Sequence, residues 1–293
     1  MYRKIKAIIT ECLLFTSPTL ISKILYKTVF NKELDLKNPI TLNEKVMWLK
    51  LNTYYKNDLV TKCADKYKVR EYIEESGNSE LLNDLISSWG SVEEIDWDSL
   101  PQKFVMKCNH GAGYNIICRD KSRFNVEEAK ITLSKWMKED YWKFRAETNY
   151  KYIPKKIICE KFLETSDGEL PEDYKIYCFN GKATCVMVCT GREKGYPKFY
   201  YFNKNWELLP FSTDALNVPA DFKLEKPDGF EKMFEYAEKL AKPFPFVRVD
   251  FYLIEGEVIF GELTFTPGAA LDKGRLESTD RILGDSLNLS ANL

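Results

Sequence analysis

The stretch FVRVDFYLIEGEVIFGELTFTPG, residues 246–268, decides how the rest of the chain is read. Val247, Val249, Phe251 and Leu253 alternate with Arg248, Asp250 and Tyr252, and further on Leu263 and Phe265 alternate with Glu262 and Thr264. Alternation with period two on both sides of Glu255-Gly256-Glu257 predicts an antiparallel hairpin. With a three-residue turn centred on Gly256, Asp250 stands opposite Glu262 and Arg248 opposite Thr264, and directly opposed residues share a face. One face is then apolar, and the other carries two carboxylates, a guanidinium and a hydroxyl. Carboxylates that close repel unless a proton, a cation or an arginine lies between them. Mg²⁺ suits such a pair, because it takes one or two carboxylates and completes its shell with phosphate oxygens. The plainer reading is a solvated face with a cross-strand salt bridge from Arg248. The glycine-containing sequence LTFTPGAA (263–270) tips the balance towards a ligand that approaches the backbone closely.

Further towards the N-terminus, KFVMKC (103–108) reads as a short strand, HGAG (110–113) as a loop and YNIIC (114–118) as a second strand. A lysine at the end of a strand, Lys107, followed by Gly111 and Gly113, can hold phosphate with one ammonium and several backbone N–H groups. It is neither a P-loop nor a dinucleotide fingerprint, since Ile116 stands where a third glycine would be needed. A bare hairpin turn explains the same residues. KIIC (156–159) is a further strand, and Glu160-Lys161-Phe162-Leu163 follows it. DYKIYCF and KATCVMV flank Asn180-Gly181, a strong hairpin signal, and KFYYF and WELLPF flank Asn203-Lys-Asn205. Phe230, Met233, Phe234, Ala237, Leu240 and Ala241 mark one face of a helix that ends near Pro243. Residues 41–77 read as helical. Thr41-Leu-Asn-Glu44 forms a capping box, and one helix runs through CADKYKVREYIEE to Gly77. Helices with mainly antiparallel hairpins give an α+β fold class.

The order of these pieces resembles the ATP-grasp superfamily. Lys66 after Ala64-Asp65 comes first, then Lys107 to Gly113, then Glu160 to Leu163, then Arg248, Asp250, Glu262 and Thr264. LNEKVMWLKL, CADKYKVREY, KFVMKCNHGAG, DYKIYCFNGK and FVRVDFYLIEGEVIFGELTFTPG are similar to the TupA-like branch, named for teichuronopeptide synthesis and met in bacterial surface-polysaccharide clusters. The resemblance spans about residues 40 to 285 and implies two α+β lobes closing on ATP. It makes Lys66 and Lys107 phosphate ligands, His110, Gly111 and Gly113 the phosphate loop, and Glu160, Lys161 and Leu163 the adenine hinge. Lys175 also reaches the nucleotide. Asp250 and Glu262 bind Mg²⁺, and Arg248 stabilises the phosphoryl group or acyl phosphate. Thr264 departs from the asparagine common at its position, which puts its role as a metal ligand in doubt.

The implied activity is a carboxylate–amine ligase that forms an amide and releases ADP and phosphate. Its carboxylate is a small molecule or glycan precursor, a sugar acid or amino acid of capsule or surface polysaccharide. Phosphoryl transfer needs positioning and charge neutralisation more than covalent chemistry. A chain with one histidine, His110, fits that better than acid–base hydrolysis. The alternatives are a glycosyltransferase, for which Asp96-Trp-Asp98 is the only Asp-x-Asp, and a nucleotide-binding module without turnover. Glu147, Tyr150 and Arg192 are further polar residues placed near the site, unranked.

The 43 Lys and Arg nearly balance the 44 Asp and Glu, so the one-sided basic charge of a nucleic-acid binder is missing. The eight cysteines are scattered without a C-x-x-C pair and read as reduced core residues of a cytoplasmic protein. Residues 1–40 form an N-terminal helical segment, 41–100 a mainly helical region, and 101–293 the ATP-grasp lobes. Within the first segment, Ile5, Ile8, Ile9, Cys12 and Leu13 recur at helical spacing behind Arg3, Lys4 and Lys6. Peripheral membrane contact through residues 1–30 is one reading of that pattern, and docking on the protein's own domain is the other.

Overall fold

A computed structural model describes residues 17–191 and 195–292. Leading helices α1 (Pro18–Phe30), α2 (Leu42–Leu51), α3 (Asp58–Ala64) and α4 (Val69–Glu75) precede strand β1 (Leu85–Trp89). Next come β2 (Phe104–Cys108), β3 (Asn115–Cys118), α5 (Val126–Lys138), α6 (Trp142–Arg145) and β4 (Ile157–Lys161). The second half holds β5 (Asp173–Phe179), β6 (Lys182–Thr190), β7 (Lys198–Phe202), β8 (Leu208–Leu209), α7 (Thr213–Leu216), α8 (Phe230–Ala241), β9 (Phe246–Ile254), β10 (Glu257–Thr264) and α9 (Glu277–Asp285). The fold is α+β, with two antiparallel sheets. One has the order β1-β4-β2-β3, the other β10-β9-β5-β6-β7-β8.

Each sheet has its own core. Phe104, Met106 and Cys108 alternate inward on β2 and meet Cys118, Leu133, Ile157 and Cys159 beneath α5. The larger core lies between the six-stranded sheet and α8, whose whole predicted stripe is buried. With Val247, Val249 and Phe251 turned to that core, the intervening residues of β9 must face the other side. The capping box forms as expected, with Thr41 accepting from the Glu44 amide and Glu44 bonding back. The Asn180-Gly181 turn also forms, with φ of 48° and 77°. The seven cysteines among the described residues are free and buried, as core residues should be. No helix of the described residues is long and apolar enough to cross a membrane.

Two local expectations need correction. The helix expected through CADKYKVREYIEE is broken after Ala64, where Asp65 is extended (φ −76°, ψ 113°). The buried Asp65 carboxylate accepts from the Tyr67 and Lys68 amides and from Asn109 Nδ2 at 2.8 Å. These bonds favour a turn over a helix, and the turn projects Lys66 away from the helix line. The last hairpin turns in two residues, Glu255 and Gly256, both with positive φ, rather than three. A bulge at Gly261 then restores the expected pairing of Glu262 with Asp250 and of Thr264 with Arg248. A Cβ on Gly261 would lie 2.9 Å from the Asp250 carbonyl oxygen, so glycine is what lets the strand bulge there.

Candidate functional site

The register of three strands builds the centre of the site. Lys175 on β5 pairs with Asp250 on β9, which pairs with Glu262 on β10. Their side chains therefore form one row across the sheet, on the face turned from α8. Arg248 grips Asp250 through two bonds, Nε to Oδ1 at 2.7 Å and Nη2 to Oδ2 at 2.6 Å. Lys175 Nζ lies 2.7 Å from Asp250 Oδ2 and 2.6 Å from Asp173 Oδ2. Arg248 also donates to Thr264 Oγ1 (3.1 Å), which donates in turn to Glu262 Oε1 (2.9 Å).

The electrostatics follow from this packing. Burial alone would raise the Glu262 carboxyl, but Lys66, Arg248 and Lys175 outweigh it and hold the group down at about 2. Burial pulls the Asp250 carboxyl upward against the pull of Arg248 and Lys175. Buried ion clusters seldom repay their desolvation in stability. A cluster of this density is better explained by what it binds.

Lys66 joins the two sheets. Its Nζ donates to the Gly111 carbonyl (2.7 Å), in the loop after β2, and lies 3.4 Å from Glu262 Oε2. On the four-stranded sheet Lys107 Nζ meets Glu160 Oε2 at 2.5 Å, and Arg70 approaches Glu160 Oε1 at 3.9 Å. Arg70 and Asp173 carry no motif from which their place could be read. Lys161 pairs instead with Asp84 at the surface (3.4 Å), and Leu163 is half-buried. Gly113 has φ 76°, which glycine adopts without strain.

The His110 ring forms no bond to these charged groups, though the Lys66 charge acts on it. It is buried, its Nε2 stands 3.2 Å from the Trp136 carbonyl oxygen, and burial lowers its pKa. Gly111 is dictated by packing as well as by the loop, since a Cβ there would lie 2.5 Å from the Tyr141 ring. Tyr141 and Tyr150 meet edge to face (5.2 Å), and both feel the Glu262 charge. Glu147 is buried behind them and accepts from Thr266 Oγ1 (2.7 Å) and from the Tyr141 hydroxyl. The aromatic segment 141–150 has no periodicity from which its place could be read. Arg192 lies outside the described residues. Asp96 and Asp98 are exposed in a bend where Asp96 accepts from the Asp98 amide (3.2 Å), so neither belongs to the cluster.

Among the described residues no cluster of three or more His, Cys, Asp or Glu side chains could cage a metal. Asp250 and Glu262 supply two hard oxygen ligands side by side. That set fits Mg²⁺ completed by phosphate oxygens and does not fit an all-protein site. Thr264, bonded on both sides within the cluster, serves as a bridge between Arg248 and Glu262.

Two antiparallel sheets, with Lys66 spanning from the loop after β2 to the carboxylate row on β9 and β10, define an ATP-grasp protein. The chain belongs to the TupA-like ATPgrasp family, whose model matches residues 44–288. Similar solved structures include D-alanine–D-alanine ligase from Bacillus anthracis complexed with ATP, with 16% identity over 77% of this chain and a TM-score of 0.48. Its Helicobacter pylori counterpart has 17% identity over 77% and a TM-score of 0.41. N5-carboxyaminoimidazole synthase from Aspergillus clavatus has 13% identity over 71% and a TM-score of 0.42. The match spans 64%, 61% and 46% of those chains, respectively. No curated protein matches the sequence.

Proposed function

We propose that the protein is an ATP-dependent carboxylate–amine ligase. The observation that carries the reading is the row Lys175–Asp250–Glu262, with Arg248 and Lys66 beside it. A substrate carboxylate oxygen attacks the γ-phosphorus of ATP, the bond to the β-phosphate bridging oxygen breaks, and ADP leaves. An amine then attacks the acyl-phosphate carbon. The C–O bond breaks, phosphate departs, and the amine nitrogen gives up one proton as the amide forms. Lys66 and Lys107 bind the phosphates, Arg248 neutralises charge on the transferring group, and Lys175 holds Asp250 in place. Mg²⁺, held by Asp250 and Glu262, would supply further charge neutralisation at the phosphates. Glu160 to Leu163, at the end of β4, receives the adenine. Glu160 holds Lys107 at 2.5 Å, so the nucleotide phosphates would compete with a carboxylate for that ammonium.

The substrates we propose are a sugar acid or amino acid and an amine used in bacterial surface-polysaccharide or capsule synthesis, in the cytoplasm. Family membership supports this assignment.

The test is thermal unfolding with ATP, with and without Mg²⁺, on wild type and on Asp250→Ala/Glu262→Ala. A ligand that binds only the native state raises its melting temperature. A Mg²⁺-dependent rise that the double variant loses is the expected result. No rise with ATP, but one with a nucleotide sugar, would replace the ligase with a glycosyltransferase.

A further inference from the structure

We propose that the outward face of α1 docks the protein on an anionic membrane surface. The two faces of this helix differ sharply. Ile21, Ser22 and Tyr26 are buried, whereas Leu20 and Ile24, one turn apart, keep 42% and 44% of their surface. Lys23 and Lys27 are exposed on that same outward side. Aliphatic side chains flanked by lysines on a helix face are what a bilayer interface accepts, the apolar tips entering the acyl boundary and the ammonium groups meeting headgroup phosphates.

Charge supports the choice of partner. Residues 1–32 contain six Lys or Arg (Arg3, Lys4, Lys6, Lys23, Lys27 and Lys32) against one acid, Glu11, a net +5 in a chain whose total is −1. The remaining residues therefore carry −6, so the positive charge is concentrated at one end. Basic clusters of this kind are drawn to anionic lipid. Lys27 pairs with Glu33 and Lys32 with Glu277, but these are surface pairs of little energy and yield readily to a stronger anionic field. The apolar spacing of Ile5, Ile8, Ile9, Cys12 and Leu13 continues the same character in sequence.

The inner residues of α1, Ile21 and Leu25, pack on Trp142, Ala146 and Tyr150. Tyr150 feels the charges of Glu262 and Arg248. The helix proposed to face the membrane thus packs, through Tyr141 and Tyr150, on the same lobe as the charge row.

The experiment is co-sedimentation of the 293-residue chain with vesicles of phosphatidylcholine, alone or with roughly 30 mol% phosphatidylglycerol. Leu20→Ser/Ile24→Ser and Lys23→Glu/Lys27→Glu are compared with wild type. Ile131→Ser, an exposed aliphatic change on the other lobe, serves as control. Wild type should bind the anionic vesicles only, and less in high salt. Each α1 double variant should lose about tenfold or more in partition, the control should bind like wild type, and all should unfold at wild-type temperature. Failure of wild type to bind anionic vesicles, equal binding to neutral ones, or undiminished binding by the α1 variants would overturn the proposal. ATP-dependent stabilisation, measured on the same samples, reports separately on the ligase reading.

Discussion

The ammonium of Lys66, carried on a turn between two helices, stands 3.4 Å from the carboxylate of Glu262 on the last strand, and it also holds the Gly111 carbonyl. A single side chain thereby touches both the loop after β2 and the carboxylate row of the six-stranded sheet. Its place depends on Asp65, whose turn breaks the helix one residue earlier.

Lys66→Met keeps the aliphatic stem and removes the charge. A hydrogen bond to a charged group contributes about 1.5–3 kcal/mol, so ATP affinity should fall roughly 10- to 100-fold. Calorimetric titration with Mg-ATP measures it. Unchanged affinity would show that the residue bridges the lobes without touching phosphate.

Gly261→Ala tests the bulge that sets the register. The added methyl group would meet the Asp250 carbonyl oxygen at 2.9 Å, a backbone atom with little freedom to move. The expected loss is about 1–3 kcal/mol, read as a lower urea midpoint with the slope unchanged. A variant as stable as wild type would mean that the strand tolerates a different register.

Much of this hairpin was legible because its alternation is strict on both strands. The turn is one residue shorter than the alternation implies, and the bulge at Gly261 offsets the difference, so Asp250 still pairs with Glu262. The helix break at Asp65 is masked by local apolar spacing that continues across it; what ends the helix is the Asp65 carboxylate turning onto the Tyr67 and Lys68 amides, held there by Asn109. His110 belongs to a loop motif, yet its ring is drawn into the small core beside Tyr114 and Trp136. Strand β1 lay in a segment of mixed character, and only its pairing with β4 defines it. Tyr141, Glu147 and Tyr150 are placed entirely by tertiary packing.

Gly111→Ala tests why the loop after β2 needs a glycine. The new methyl group would collide with the Tyr141 ring, costing about 1–3 kcal/mol. In a Tyr141→Ala background the same change should cost clearly less, because the two sites are in contact and their effects cannot add, although the Tyr114 ring at 3.0 Å still crowds the new methyl group. Equal costs in both backgrounds, measured by chemical denaturation, would mean that the ring is not what excludes a side chain there.

Lys50 offers a pH test away from the charge row. It is fully buried on α2, its Nζ donates to the Arg145 carbonyl at 3.1 Å, and burial pulls its pKa from the ordinary 10.5 to about 8 despite the nearby Glu147 charge. Below pH 8 the ammonium is protonated in both folded and unfolded chains, and its desolvation is a constant cost. Between about pH 8 and 10.5 the native chain sheds the proton while the unfolded chain keeps it, so wild-type stability should gain from this group as pH rises. The gain is bounded at about 3 kcal/mol by a shift of this size. Lys50→Met removes the titration while keeping the bulk. The stability of the variant relative to wild type should therefore decline steadily from pH 8 to 10, followed by urea unfolding at each pH. A difference that stays flat over that range would mean that Lys50 keeps its proton in the folded protein, and that Glu147 fully compensates its burial.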